Sequence, residues 1–119
     1  MRNITKVITL PVGGEKMEFR LTKLDAFSGA RLLKMLARRP EENLQDLLLG
    51  LPEAELESLM RVCLRHADAL LPAGPIRALE GDSWGLPELE HDAWTCLRLT
   101  MEVIQWTMDG FFPESAPDS

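Results

Sequence analysis

The longest amphipathic pattern in the chain lies near its C-terminal end, in residues 92–112. Apolar side chains recur there at alternating steps of three and four residues, which places them along one side of an α-helix. This stripe consists of Trp94, Leu97, Met101, Ile104, Met108 and Phe111. Val103 and Trp106 fall outside the stripe, so we expect the helix to touch neighbours on more than one side. Asp92 suits the start of this helix and Gly110 its end.

Two segments near the N-terminal end alternate apolar and polar residues as β-strands do. Residues 4–10 and 17–21 flank Gly13 and Gly14, which tolerate the positive φ angles of a two-residue turn. That turn predicts the register of a hairpin. The pairs on its apolar face are Leu10 with Met17 and Ile8 with Phe19. Pro11 lacks an N–H, so its strand should have a free edge or be irregular there. The apolar face needs helices to cover it, because an isolated hairpin is barely stable.

Three further helices are predicted between the hairpin and residue 70. Thr22-Lys-Leu-Asp25 has capping-box spacing, so either Thr22 or Asp25 opens a helix that runs to about Arg38. Residues 41–49 predict a short helix, and Pro52 suits the first turn of the next one. The apolar residues of that third helix are Leu56, Leu59, Met60, Cys63, Ala67 and Leu70.

Turn residues dominate residues 72–90, which contain Pro-Ala-Gly-Pro and Gly-Asp-Ser-Trp-Gly. We expect a loop here, with a short strand at residues 76–79. Trp84 is too large to be left in water, so it either pins the loop to the domain or marks a contact site. Residues 113–119 are expected to form a frayed tail.

Length and composition indicate one folded domain. The predicted elements make it an α+β domain, in which the hairpin packs on a layer of three to four helices. The 119 residues suffice for one core, placed in residues 1–112, and 45% of them are hydrophobic. The apolar runs are too short for a membrane span, and the N-terminal segment does not look like an export signal. These features predict a cytoplasmic protein.

Charge is unevenly distributed along the chain, whose net charge is −6. Nine basic and three acidic residues precede Pro40, whereas four basic and sixteen acidic residues follow Arg39, so the two parts carry +6 and −12. An acidic total disfavours binding to nucleic acid, because phosphate contacts need clustered Lys and Arg. The charges are either solvated faces of short elements, or the basic N-terminal third meets a negative surface.

Few residues could carry catalytic or metal chemistry. Cys63 with His66 and His91 with Cys96 could be drawn as a zinc site, but both cysteines fall on or near apolar helical stripes. Buried core cysteines are therefore the favoured interpretation. The two histidines lie in no nucleophile context, and the acidic residues occur in runs typical of solvated faces, so we expect neither an enzyme nor a cofactor.

Three segments in a fixed order resemble one known family. They are Ile-Thr-Lys-Val-Ile-Thr-Leu at residues 4–10, Thr-Lys-Leu-Asp-Ala-Phe-Ser-Gly-Ala-Arg-Leu-Leu-Lys at residues 22–34, and the ending Glu-Val-Ile-Gln-Trp-Thr-Met-Asp-Gly-Phe-Phe at residues 102–112. Together they make the chain similar to the tail assembly chaperones of long-tailed bacteriophages and prophages. Family members often carry an Asn-Phe pair where this chain has Thr107-Met108.

The resemblance implies a non-catalytic factor, absent from the mature virion, that binds the tape measure protein and keeps it soluble while tail tube subunits assemble. Large apolar residues beyond the needs of one stripe are the candidate partner-binding residues. They are Trp106, Phe111, Phe112 and Trp84. Phe111 and Phe112 could equally plug the end of the core. Opposite charges on the two parts predict weak, salt-sensitive self-association. The alternative function is an acidic decoy that mimics nucleic acid and binds a host factor.

Overall fold

The computed structural model describes residues 3–39 and 42–109. These residues form an α+β fold, as predicted, in which an N-terminal hairpin packs against helices. The elements in chain order are β1 (Thr5–Val12), β2 (Glu15–Thr22), α1 (Ala26–Ala37), α2 (Leu44–Leu49), α3 (Glu53–Leu64), β3 (Ala67–Leu71), β4 (Gly74–Arg77), β5 (Leu79–Glu80), β6 (Ser83–Trp84), α4 (Pro87–Glu90) and α5 (Ala93–Met108).

The β1–β2 hairpin has the predicted register. Gly13 and Gly14 form its turn with φ angles of 61° and 86°, and Leu10 pairs with Met17. Ile8 likewise pairs with Phe19. β1 is an edge strand, so the missing N–H of Pro11 is accommodated at a free edge of the sheet, as expected.

Two further strands extend this hairpin into a four-stranded antiparallel sheet with the order β1-β2-β3-β4. The prediction that the third helix continues to residue 70 is wrong, because α3 ends at Leu64 and β3 begins at Ala67. The spacing of Ala67 and Leu70 fits a helix, but β2 offers an unpaired edge that binds this segment instead. Phe19 of β2 pairs with Ala69, and the N–H of Thr22 donates a 2.8 Å hydrogen bond to the carbonyl of His66.

Residues 72–90 contain more regular structure than the predicted loop. They form strands β4, β5 and β6 and the single-turn helix α4. The short strand expected at residues 76–79 corresponds in part to β4 and β5. The turn residues of this segment predict turns correctly. The strands between those turns form because they pair with other strands, such as β4 with β3, and turn residues do not predict this pairing.

Helix α5 forms the centre of the core and packs against α3, α4, α1 and the inner face of the hairpin. Its predicted apolar stripe is only partly correct. Leu97 and Ile104 are buried, whereas Trp94 is 53% exposed and Met101 is only half-buried. The buried side chains of α5 are Thr95, Cys96, Leu97, Leu99, Thr100, Val103, Ile104 and Thr107. Because α5 touches neighbours on several sides, its buried arc is broader than one stripe and is rotated toward Val103.

Side-chain caps start three of the described helices, α1, α2 and α5. The Asp25 carboxylate accepts hydrogen bonds from the N–H groups of Phe27 and Ser28, so Asp25 rather than Thr22 opens α1. Asn43 caps α2, which is therefore shorter than the predicted 41–49 helix. Asp92 caps α5 as predicted. The proposed stop at Gly110 and the tail at residues 113–119 lie outside the described residues.

Candidate partner-binding surface

Trp106, the first candidate partner-binding residue, lies between α5 and the residues that precede β1. Its indole Nε1–H donates a 3.0 Å hydrogen bond to the carbonyl of Ile4. The Lys23 ammonium lies 4.6 Å from the centre of the ring and that of Lys6 lies 5.7 Å from it. Lys23 also donates a 2.7 Å hydrogen bond to the carbonyl of Asp109. The half-buried ring therefore fastens the end of α5 to the sheet.

An open apolar groove lies beside this end of α5, between α1, α2 and α5. We call it the α5-end groove. It has a volume of about 800 Å³. Its apolar lining includes Leu33, Leu36, Leu44, Leu47, Ile104 and Met108. Asp109, the last described residue, also lines it. Gly110, Phe111 and Phe112 come next in the sequence and lie outside the described residues.

The α5-end groove was not predicted from the sequence. The available signal was a surplus of leucines on α1 and α2, which exceeds what those short helices bury. Leu32 of α1 is 1% exposed, but Leu33 is 37% exposed, and Leu49 of α2 is 56% exposed. Which of these leucines line one cavity depends on how α1, α2 and α5 are arranged, and no local pattern encodes that arrangement.

Trp84 lies on a different surface. It lines a groove of about 500 Å³ together with Leu56, Met60 and Leu79. The ring is half-buried and packs against the core, which agrees with the interpretation that Trp84 pins its segment to the domain. Asp82 of the same turn accepts hydrogen bonds from α3 and the residue that follows it. The donors are Arg61 at 3.1 Å and Arg65 at 3.2 Å.

Both cysteines lie in the hydrophobic core, as the sequence predicted. Burial raises the pKa of the Cys63 thiol to about 12. Burial and the neighbouring Asp92 carboxylate raise that of Cys96 to about 11. Both side chains are therefore neutral thiols at pH 7. Across residues 3–39 and 42–109, no group of three or more His, Cys, Asp or Glu side chains is placed to hold a metal ion.

Comparison with known proteins leaves the identity of the chain open. No protein-family model, curated protein or solved structure matches it. The resemblance to tail assembly chaperones therefore stays a prediction, and so does the partner-binding role of the four aromatic residues. In the part of the chain that the structure describes, no helix has both the length and the apolarity needed to cross a bilayer.

Proposed function

We propose that this protein is a non-catalytic tail assembly chaperone of a long-tailed bacteriophage or prophage. In this proposal it works in the host cytoplasm, binds the tape measure protein and assists assembly of the tail tube, without remaining in the mature virion. The resemblance of three ordered segments supports this function. The observation that carries it is the open α5-end groove, which the described residues of α1, α2 and α5 line with apolar side chains as far as Asp109.

The α5-end groove suits one face of an amphipathic helix. An α-helix with its side chains is about 10 Å across, and it docks in such grooves through apolar residues spaced three and four apart. Leu33 and Leu36 of α1 form one wall of the groove, while Leu44 and Leu47 of α2 contribute further apolar surface. A client helix that rests there removes its apolar stripe from water, which lowers its tendency to aggregate.

Self-association is the second component of the proposal. The +6 and −12 parts of the chain attract one another, and copies that touch through them need not form a closed ring. Weak contacts between copies bound along a rod-shaped client raise the effective concentration at each neighbouring site. Sedimentation across a salt series tests this component. Species larger than a monomer are expected at low salt, and a monomer at every concentration and salt would contradict it.

Co-expression with a tape measure protein tests the function itself. The wild-type chain should keep the client in the soluble fraction, whereas Leu33→Glu should lose this ability because a carboxylate enters the groove wall. Leu49→Glu is the matched control, since Leu49 is also an exposed leucine but does not line the groove. Phe112→Ala tests the segment beyond Asp109 in the same assay.

Two outcomes would count against the proposed function. If a tape measure protein stays insoluble when it is co-expressed with the wild-type chain, the proposed chaperone function is contradicted. It is also contradicted if the gene lies away from the genes for tail tube and tape measure proteins, because assembly factors of this kind are expected to be encoded between them.

A further inference from the structure

A second groove, smaller and basic, lies between α1 and α3. We call it the α1–α3 groove, and its volume is about 260 Å³. Its apolar lining consists of Leu24, Leu32, Met35, Leu59 and Val62. Its charged residues are Arg31, Lys34 and Arg38 on the α1 side and Glu55 on α3. The groove therefore combines apolar side chains with three positive charges and one negative charge.

The basic side of the α1–α3 groove has no carboxylate partner within the described residues. Among residues 3–39 and 42–109, no carboxylate oxygen lies within 4.0 Å of Arg31, Lys34 or Arg38. Glu55 lines the same groove, yet it remains beyond ion-pair distance of all three. Arg61 of α3, in contrast, pairs with carboxylates on two sides. The three basic side chains are exposed, so an acidic surface of a partner is complementary to them.

A surface of the opposite charge lies where α4 meets α5, and it carries an exposed tryptophan. Trp94 is 53% exposed, although the sequence predicts it in the core. Glu88 and Glu90 of α4 precede it closely in the chain, and both are exposed. Neither glutamate forms an ion pair within the described part of the chain. Arg98, the next basic residue on α5, pairs with Glu102 at 3.9 Å. We call Glu88, Glu90 and Trp94 the α4–α5 surface.

Trp94 suits a contact with the α1–α3 groove better than the other exposed apolar residues do. Tryptophan is enriched among the residues that dominate binding energy, whereas leucines such as the exposed Leu49 are under-represented there. Phe27 is more exposed, at 85%, but it lies on α1 itself, beside the basic residues of the groove. A contact through Phe27 would bring like charges together, which is unfavourable.

We propose that the α4–α5 surface of one copy binds in the α1–α3 groove of a second copy of this chain. Trp94 contacts the apolar residues of the groove, and the two glutamates face its basic side. The two surfaces share no residue, so one copy can use both at once, and such a head-to-tail contact can continue from copy to copy. This inference rests on the self-association component of the proposed function and names the residues that carry it.

Sedimentation of the full chain measures the contribution of Trp94. Trp94→Ala should weaken self-association at low salt by about tenfold or more, because it removes the apolar side chain that enters the groove. Leu49→Ala is the matched control, since Leu49 is 56% exposed and belongs to neither surface. Leu49→Ala should associate as the wild-type chain does.

Charge reversal tests the groove. Lys34→Glu should weaken self-association by about tenfold at low salt, because it places like charges opposite the α4–α5 surface. Lys16→Glu makes the same change of charge at an exposed lysine of the β1–β2 hairpin and should have little effect. The difference between Lys34→Glu and the wild-type chain should disappear near 1 M salt, where the screening length falls to about 3 Å.

A mixture of two variants tests whether the two surfaces bind each other. Lys34→Glu retains the α4–α5 surface, and Trp94→Ala retains the α1–α3 groove, so one intact contact can join one copy of each. At a concentration where each variant alone is monomeric, the mixture should contain a complex of two chains and nothing larger. Circular dichroism confirms the fold of each variant. If Trp94→Ala is unfolded, Glu90→Lys takes its place.

Several results would overturn the inference. Equal losses in Trp94→Ala and Leu49→Ala, equal effects of Lys34→Glu and Lys16→Glu, or a mixture without the two-chain complex would each exclude this contact. A wild-type chain that never exceeds two copies would exclude its head-to-tail form.

The same variants separate this inference from the proposed function. If the wild-type chain self-associates and none of the variants weakens it, self-association stands and this inference fails. If the wild-type chain is monomeric yet keeps a tape measure protein soluble, the chaperone function stands, while self-association and this inference both fail. If Lys34→Glu then abolishes that solubility, the client rather than a second copy occupies the α1–α3 groove.

Discussion

The backbone N–H of Leu24 donates a buried 3.0 Å hydrogen bond to the Oγ1 of Thr107, 83 residues further along the chain. This bond joins the segment before α1 to the last turn of α5. It explains why a threonine is 1% exposed at the end of a core helix, since its hydroxyl satisfies a backbone donor that would otherwise be buried without this partner.

Thr107→Val should lower the free energy of unfolding by about 1–3 kcal/mol, because the isosteric change leaves the Leu24 N–H without its acceptor. Thr100→Val is the control. The Thr100 hydroxyl donates to the carbonyl of Cys96 four residues earlier, and helical backbone bonding can satisfy that carbonyl without it. Urea unfolding of both variants makes the comparison, and equal losses would contradict the assigned role of Thr107.

Ile104→Ala should cost about 2–5 kcal/mol of stability, because Ile104 is 1% exposed at the centre of the core. Trp94→Ala, in the same helix, should cost about 1 kcal/mol or less despite the larger deletion, since Trp94 is 53% exposed. Thermal and urea unfolding measure both. If the Trp94 variant were destabilised as strongly as the Ile104 variant, the result would support the predicted stripe, in which both side chains are part of the core.

Asp68 should make stability depend on pH in acid. Burial alone would raise the pKa of its carboxyl, but hydrogen bonds and positive charge from Arg77 and Arg20 outweigh burial and lower it below the ordinary 3.8. A lowered folded-state pKa means that the stabilisation is complete above about pH 4 and is lost as the pH falls through the folded-state value.

Asp68→Asn should therefore lower the free energy of unfolding by about 1 kcal/mol at pH 7, a modest loss because both arginine side chains are partly exposed. The difference in free energy of unfolding between variant and wild type should become smaller as the pH is lowered from 5 toward 2. Urea titrations at several pH values measure this difference. A difference that stays constant over this range would show that the Asp68 charge contributes nothing to stability.

The hairpin turn should tolerate Asn but not Ala. Gly14 has a φ angle of 86°, and an added Cβ would meet no atom within 4 Å, so any penalty comes from the backbone conformation alone. Gly14→Ala should cost about 1–2 kcal/mol. Gly13→Asn should remain close to wild type, because asparagine accepts the left-handed conformation at a φ angle of 61°. Unfolding by heat compares the two, and an Ala variant as stable as wild type would contradict the turn geometry.

The sequence alone determined the elements that depend on near neighbours. Two glycines with positive φ set the hairpin register that pairs Leu10 with Met17. Asp25 and Asp92 accept hydrogen bonds from backbone N–H groups two or three residues ahead, so their caps can be predicted from the sequence. The burial of both cysteines also followed from their places on or near apolar stripes.

Only the tertiary structure decided the features that depend on distant partners. Residues 67–71 have a pattern that fits a helix or a strand, and pairing with β2 makes them a strand. Which face of α5 points toward the core depends on its packing against both α3 and the sheet. This packing leaves Trp94 exposed and buries Val103. The α5-end groove arises because, among the described residues, helices α1, α2 and α5 meet without filling the space between them. Periodicity identifies the apolar face of each helix, but the packing of one helix on another determines which part of that face remains open.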